Sequence, residues 1–178
     1  MPRIPYKTDA EAGPPELVAA IRQRRGGRLG NLDRILLHSE PVATGWGEMM
    51  GRLRRDIALS PLLKELAMCA VAALNRAEYE LYHHGPLYLQ AGGSPAQLDA
   101  LRAWPETAPP DGLFDDAQRA VLALTLQMTR QVQVDDAVFA AARTAVGDDR
   151  RMFELITVIA AYNMVSRILV AVDIQAED

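Results

Sequence analysis

Thiols, imidazoles and aromatic rings are scarce in this chain. Its 178 residues hold one cysteine, Cys69, and three histidines, and aromatics make up 6%. A single cysteine excludes an internal disulfide framework and suits a reducing compartment. Neither sign of charge prevails strongly: 19 basic against 23 acidic residues leave a net charge of -4. That balance lacks the basic surplus of a nucleic-acid binder, so no nucleic-acid partner is expected. Apolar runs of membrane-spanning length are missing too. The most apolar segment, 155–172, is interrupted by Asn163, Ser166 and Arg167, so no membrane contact is expected. The opening MPRIPYKTDAEAGPP carries no apolar signal core. A soluble cytoplasmic protein is the expectation.

What is present is apolar material. At 49% hydrophobic, the chain can bury a sizeable core, and its length fits a single domain over residues 1–178. No alternating pattern of convincing length suggests a strand, whereas helical spacing recurs throughout, so the fold class is all-α. Residues 1–15, with four prolines, read as an extended arm without a core of its own. The loop GGRLG follows no strand and lacks the Gly-Lys-Ser/Thr of a phosphate loop. Pro41 opens a helix over about 41–58, with Val42, Trp46, Met49, Met50, Leu53 and Ile57 on one face.

Two apolar helices follow. Ser60-Pro61 starts the first, Ser as cap and Pro at a position whose N–H would go unpaired. Asn75 interrupts it, and the second runs from about Ala77 to Ala91, stopped by Gly92-Gly93. Ser94-Pro95-Ala96-Gln97 is a capping box. WPETAPPDG, residues 104–112, reads as a Pro-rich internal linker. Beyond it, helices begin at Asp115 or Asp116, at Asp135 and at Asp148, the last running to about Ile174 and apolar nearly all round.

The chemistry concentrates in residues 60–94. Glu65 lies between Leu63 and Leu66, while Glu80 and His84 are four apart and share a helix face. A carboxylate beside an imidazole raises its pKa and burial lowers it, a balance that suits a general acid or base. The turn at Asn75 can fold the Glu65 helix back onto the same cavity. The same spacing also fits a surface Glu–His pair, with Glu65 bridged to Lys64 or an arginine. His83-His84 is not a spaced zinc pair and His-Glu-x-x-His is absent, so no metal is expected. Cys69 fits a packed core residue, reactive only if exposed with a lowered pKa.

The stretch KELAMCAVAALNRAEYELYHHGPLYLQAGGSPAQ resembles the core of the carboxymuconolactone decarboxylase and alkylhydroperoxidase D superfamily. The features that match are Lys-Glu-Leu around Glu65, Tyr-Glu-x-x-x-His from Tyr79 to His84, and Gly-x-Ser followed by Gln97. The resemblance continues in LGNLDRILLHSEPVATGW before it, and in FDDAQRAVLAL and FELITVIAAYNMVSR after it, covering about residues 25–170. It implies an alkylhydroperoxidase D-like bundle of about eight helices. It also implies a homo-oligomer, trimeric or hexameric, with its sites near subunit contacts.

In the peroxidase branch a Cys-x-x-Cys pair precedes the histidine by seven and four residues. Ala77 and Glu80 stand there in this chain, and a dithiol cycle needs both thiols. Glu65 matches the relay glutamate and His84 the histidine. Glu80 in the second thiol position is similar to the decarboxylase branch, which handles small carboxylated lactones without a cofactor. By that resemblance His84 is the proton donor, oriented by Glu80, with Glu65 as a relay and His83 as a neighbouring partner. Arg34, His38, Trp46, Tyr162, Asn163 and Arg167 are candidates to line the substrate site. An arginine can fork onto a carboxylate, but packing for Trp46 and salt bridges for the two arginines fit as well. The functional expectation is Glu/His acid–base chemistry on a small organic acid or lactone. Two alternatives stay open: peroxidase or antioxidant activity, and a non-catalytic oligomeric small-molecule-binding protein.

Overall fold

A computed structural model describes residues 2–104 and 112–177. The Pro-rich stretch 104–112, except Trp104 and Gly112, lies outside the described residues. Among the described residues there are nine α-helices and no strand, in agreement with the all-α reading. The chain divides into two compact units, Met1–Asp56 with Leu169–Asp178, and Ile57–Ile168.

The first unit holds α1 (Pro15–Arg24), α2 (Asn31–Leu36) and α3 (Glu40–Arg55). Gly30 is the cap of α2, and its N–H donates to the buried Asp33 carboxylate at 3.1 Å. The N-terminal arm has no core of its own but is firmly tethered. The Arg3 N–H donates to the Val172 carbonyl at 2.7 Å, and the Gln175 N–H to the Tyr6 hydroxyl at 3.0 Å.

The second unit holds α4 (Pro61–Leu74), α5 (Glu78–Gln90), α6 (Pro95–Ala103), α7 (Asp116–Arg130), α8 (Asp136–Val146) and most of α9 (Asp149–Val172). Every residue of α4 from Leu63 to Leu74 is buried, so α4 is the axis of this unit, with α5, α6 and α7 packed on it. Ser60 precedes Pro61 as expected, yet its side chain makes no capping bond. The turn before α4 is fixed from α9 instead: the Ala58 and Leu59 N–H groups both donate to Glu154 Oε2, at 2.8 and 2.9 Å. The Ser94 capping box forms as predicted, and Asp115 with Gln118 forms another.

The α4–α5 connection decides where the site lies. Arg76 N–H donates to the Ala73 carbonyl and Ala77 N–H to the Ala72 carbonyl, with Arg76 at φ 55°. This is the paired bonding of a left-handed helix ending, a position usually given to glycine. α5 ends the same way at Gly92, φ 106°. The next residue, Gly93, lies against the Tyr88 ring, and a Cβ there would stand 2.4 Å from it.

Candidate functional site

α4 and α5 form an antiparallel hairpin about Asn75. Glu65 is ten residues before that turn and His84 nine after it. At 1.5 Å per residue these are about 15 and about 13.5 Å along the two helices, so the residues arrive level. Nδ1 of His84 lies 2.7 Å from Glu65 Oε2, within a buried pair. A carboxylate inside a helix buried all round needs such a partner, because an unpaired buried charge is costly.

α9 closes the site. The Tyr162 hydroxyl lies 3.1 Å from His84 Nε2, and the two rings meet edge-on, with centroids 4.9 Å apart. One turn further on, the Ser166 hydroxyl donates to Glu80 Oε2 at 2.5 Å. Residues 80 and 84 on α5 therefore face 166 and 162 on α9, in antiparallel order. The sequence reading gave Glu80 the task of orienting His84, but the carboxylate bonded to Nδ1 is that of Glu65. Glu80 binds Ser166, which the sequence reading passed over. Its one signal was position: a hydroxyl four residues after Tyr162 in the most apolar helix.

Cys69, one turn beyond Glu65, is completely buried. Burial pushes its thiol well above the usual range, and the charges of Glu65 and Glu80 add to the effect. A thiolate is the reactive form of cysteine, so this position is inert. Among the described residues no three His, Cys, Asp or Glu side chains are grouped to hold a metal ion.

The remaining candidates take other places. His83 is half-buried and packs edge-on to Tyr79 and Tyr82 at 4.5 and 5.2 Å. Asn163 is the centre of a polar cluster at the α4–α5 turn. Its amide donates to Thr129 Oγ1 at 3.0 Å, and its Oδ1 accepts from Asn75 Nδ2 and Arg167 Nη1. Arg167 is thereby anchored through Nη1, although the residue as a whole is exposed. Arg34, His38 and Trp46 belong to the first unit. Arg34 binds the Lys7 carbonyl and Asp9, both at 2.7 Å, and His38 Nε2 donates to the Pro5 carbonyl at 2.8 Å. Trp46 is buried. The first unit also has a groove of about 220 Å³ between α1 and α3, lined by residues that include Ile21, Arg24, Ala43 and Gly47 but none of the candidates.

Residues 40–125 match the carboxymuconolactone decarboxylase family, a span that contains Glu65, Cys69, Glu80 and His84. No curated protein matches the sequence. Two solved structures share the fold over nearly the whole chain. One is a peroxidase-related protein from Silicibacter sp. TM1040, with TM-score 0.77 and 23% identity over 99% of this chain and 94% of its own. The other is a peroxidase-related protein with an alkylhydroperoxidase AhpD core from Ralstonia eutropha JMP134. It has TM-score 0.83 and 22% identity over 99% of this chain and 93% of its own. At that identity the likeness is one of fold.

Proposed function

We propose that this chain, a member of the carboxymuconolactone decarboxylase and alkylhydroperoxidase D-like superfamily, is an acid–base enzyme that acts on a small organic acid or lactone, by decarboxylation or a related proton transfer. The observation that carries the reading is the 2.7 Å contact between Glu65 and His84, buried on two helices that pack directly on each other. A carboxylate and an imidazole held in one geometry are the equipment of general acid–base catalysis. Glu80 and Ser166 supply a second polar pair beside it. Arg167, exposed and anchored on Asn163, is suited to take a substrate carboxylate. The exposed Phe153 and Met164 on α9 fit assembly into a homo-oligomer, trimer or hexamer.

The peroxidase reading draws support from the description of the fold neighbours. Against it stand the replacement of both redox cysteines by Ala77 and Glu80 and the burial of Cys69. Turnover of a panel of small lactones and carboxylic acids, by wild type and His84→Ala, tests the proposal. Turnover of a panel member that falls with His84→Ala supports it. Unchanged turnover sinks it. Hydroperoxide consumption abolished by Cys69→Ser favours the peroxidase reading. A panel member that stabilises the protein through His84 without reacting favours a binding protein.

A further inference from the structure

Both ring nitrogens of His84 are committed to protein partners. Nδ1 faces Glu65 at 2.7 Å and Nε2 faces Tyr162 at 3.1 Å. A carboxylate only accepts hydrogen bonds, so Nδ1 carries the proton that joins it to Glu65. In a neutral imidazole the other nitrogen is then an acceptor, and the Tyr162 hydroxyl can serve it as donor. Tyr162 is 0% exposed and meets the His84 ring edge-on from α9. His84 and Glu65 keep 8% and 9% of their side chains open. The open part of His84 does not include a free nitrogen. Glu65 differs: Oε2 accepts from His84, while Oε1 makes no hydrogen bond among the described residues.

We infer that Glu65 is the catalytic residue, the group that exchanges a proton with the substrate through Oε1, and that His84 is a positioning residue held in the Nδ1–H tautomer between the Glu65 carboxylate and the Tyr162 hydroxyl. This rests on the acid–base reading above and divides its labour. It also reverses the order drawn from the sequence, in which His84 was the donor and Glu65 the relay. In a decarboxylation the ionised Glu65 first takes the proton of the substrate's carboxylic acid on Oε1. The bond to the departing carboxylate then breaks, its electron pair stays on the substrate carbon, and CO2 leaves. The same proton passes from Oε1 to that carbon, and the Glu65 carboxylate left behind keeps its bond from Nδ1–H. His84 supplies a donor fixed in place throughout, which needs no reorientation during the reaction. Without the Tyr162 hydroxyl Nε2 loses its donor, and the ring is held from the Glu65 side alone.

The tautomer can be read without a substrate, by two-bond 15N–1H correlation spectra of the full chain with labelled histidine. His38→Gln and His83→Gln assign the signals. The wild type is expected to show His84 as a single Nδ1–H form, with Nε2 unprotonated. Tyr162→Phe, which removes only the hydroxyl, is expected to move the unprotonated Nε2 resonance downfield while Nδ1 keeps its proton. A wild-type His84 in the Nε2–H form overturns the inference, and so does a folded Tyr162→Phe whose spectrum is unchanged. If Tyr162→Phe fails to fold, the wild-type tautomer alone decides. Should the spectra come out as expected while no panel compound reacts, the tautomer assignment stands and the enzymatic reading falls.

Discussion

Glu65 and His84 are separated by nineteen residues of chain and by 2.7 Å in space. The hairpin of α4 and α5 produces that closeness by placing its turn almost midway between them. Both residues lie in the interior, so the pair is held by helices rather than by loops. A site built this way is pre-organised, and its chemistry can be probed by isosteric changes that leave the helices in place.

The thiol gives the first prediction. Cys69 is sealed inside α4 and its ionisation is suppressed, chiefly by burial. Ellman's reagent is expected to leave the native protein unmodified and to titrate one thiol after unfolding. The suppressed ionisation also fixes a sign. The unfolded thiol ionises above about pH 8.5 while the folded one stays protonated, so stability should decline as pH rises past that value. Urea titrations of wild type and Cys69→Ala between about pH 8 and 10 check this: the decline should be shallower in the variant.

A second prediction concerns the turn that sets the hairpin. Arg76 adopts φ 55°, a conformation that costs a residue with a Cβ about 1 kcal/mol. Arg76→Gly should therefore leave the site intact and raise the unfolding free energy by up to about 1 kcal/mol, partly offset by the greater freedom of glycine in the unfolded chain. Chemical denaturation measures it. A loss of stability would show that the Arg76 side chain contributes more than its backbone costs.

The N-terminal arm offers a third. The hydrogen bond from Arg34, with help from Arg22, holds the Asp9 carboxyl below its ordinary range. A depressed carboxylate stabilises above its unfolded pKa and loses its effect as pH falls through the folded value. The arm should therefore loosen below about pH 4 and remain tethered at neutral pH. Amide exchange at the Lys7 N–H, which donates to the Arg34 carbonyl, reports on it. Asp9→Asn should remove most of the pH dependence.

Much of this was legible in the sequence, and the shortfalls have physical causes. Helical spacing revealed the helices, and Pro and Gly punctuation revealed most of their ends. Glu65, Glu80 and His84 stood out as ionisable groups among apolar residues. Spacing of four shows that Glu80 and His84 share a face, but it does not show what lies across from that face. The length of the hairpin brought Glu65 to the imidazole, and the packing of α9 brought Ser166 to Glu80. Arg34 and His38 were legible as donors, yet their acceptors in the structure include the carbonyls of Lys7 and Pro5. Backbone carbonyls exist at every residue, so sequence gives no sign of which will be used. Ser60 looked like a capping residue on composition, but a distant carboxylate, Glu154, had taken over the turn before it.

The most direct test of the account is the turnover of an active panel compound by Glu65→Gln. Glutamine keeps the shape of glutamate and can still accept from Nδ1, whereas truncation would leave the buried Nδ1–H without its acceptor, at a cost of about 1–3 kcal/mol in stability. The account expects a folded protein whose kcat has fallen by at least about 100-fold, the lower end for loss of a general acid or base. A kcat within about two-fold of wild type, far short of that acid–base effect, would contradict it.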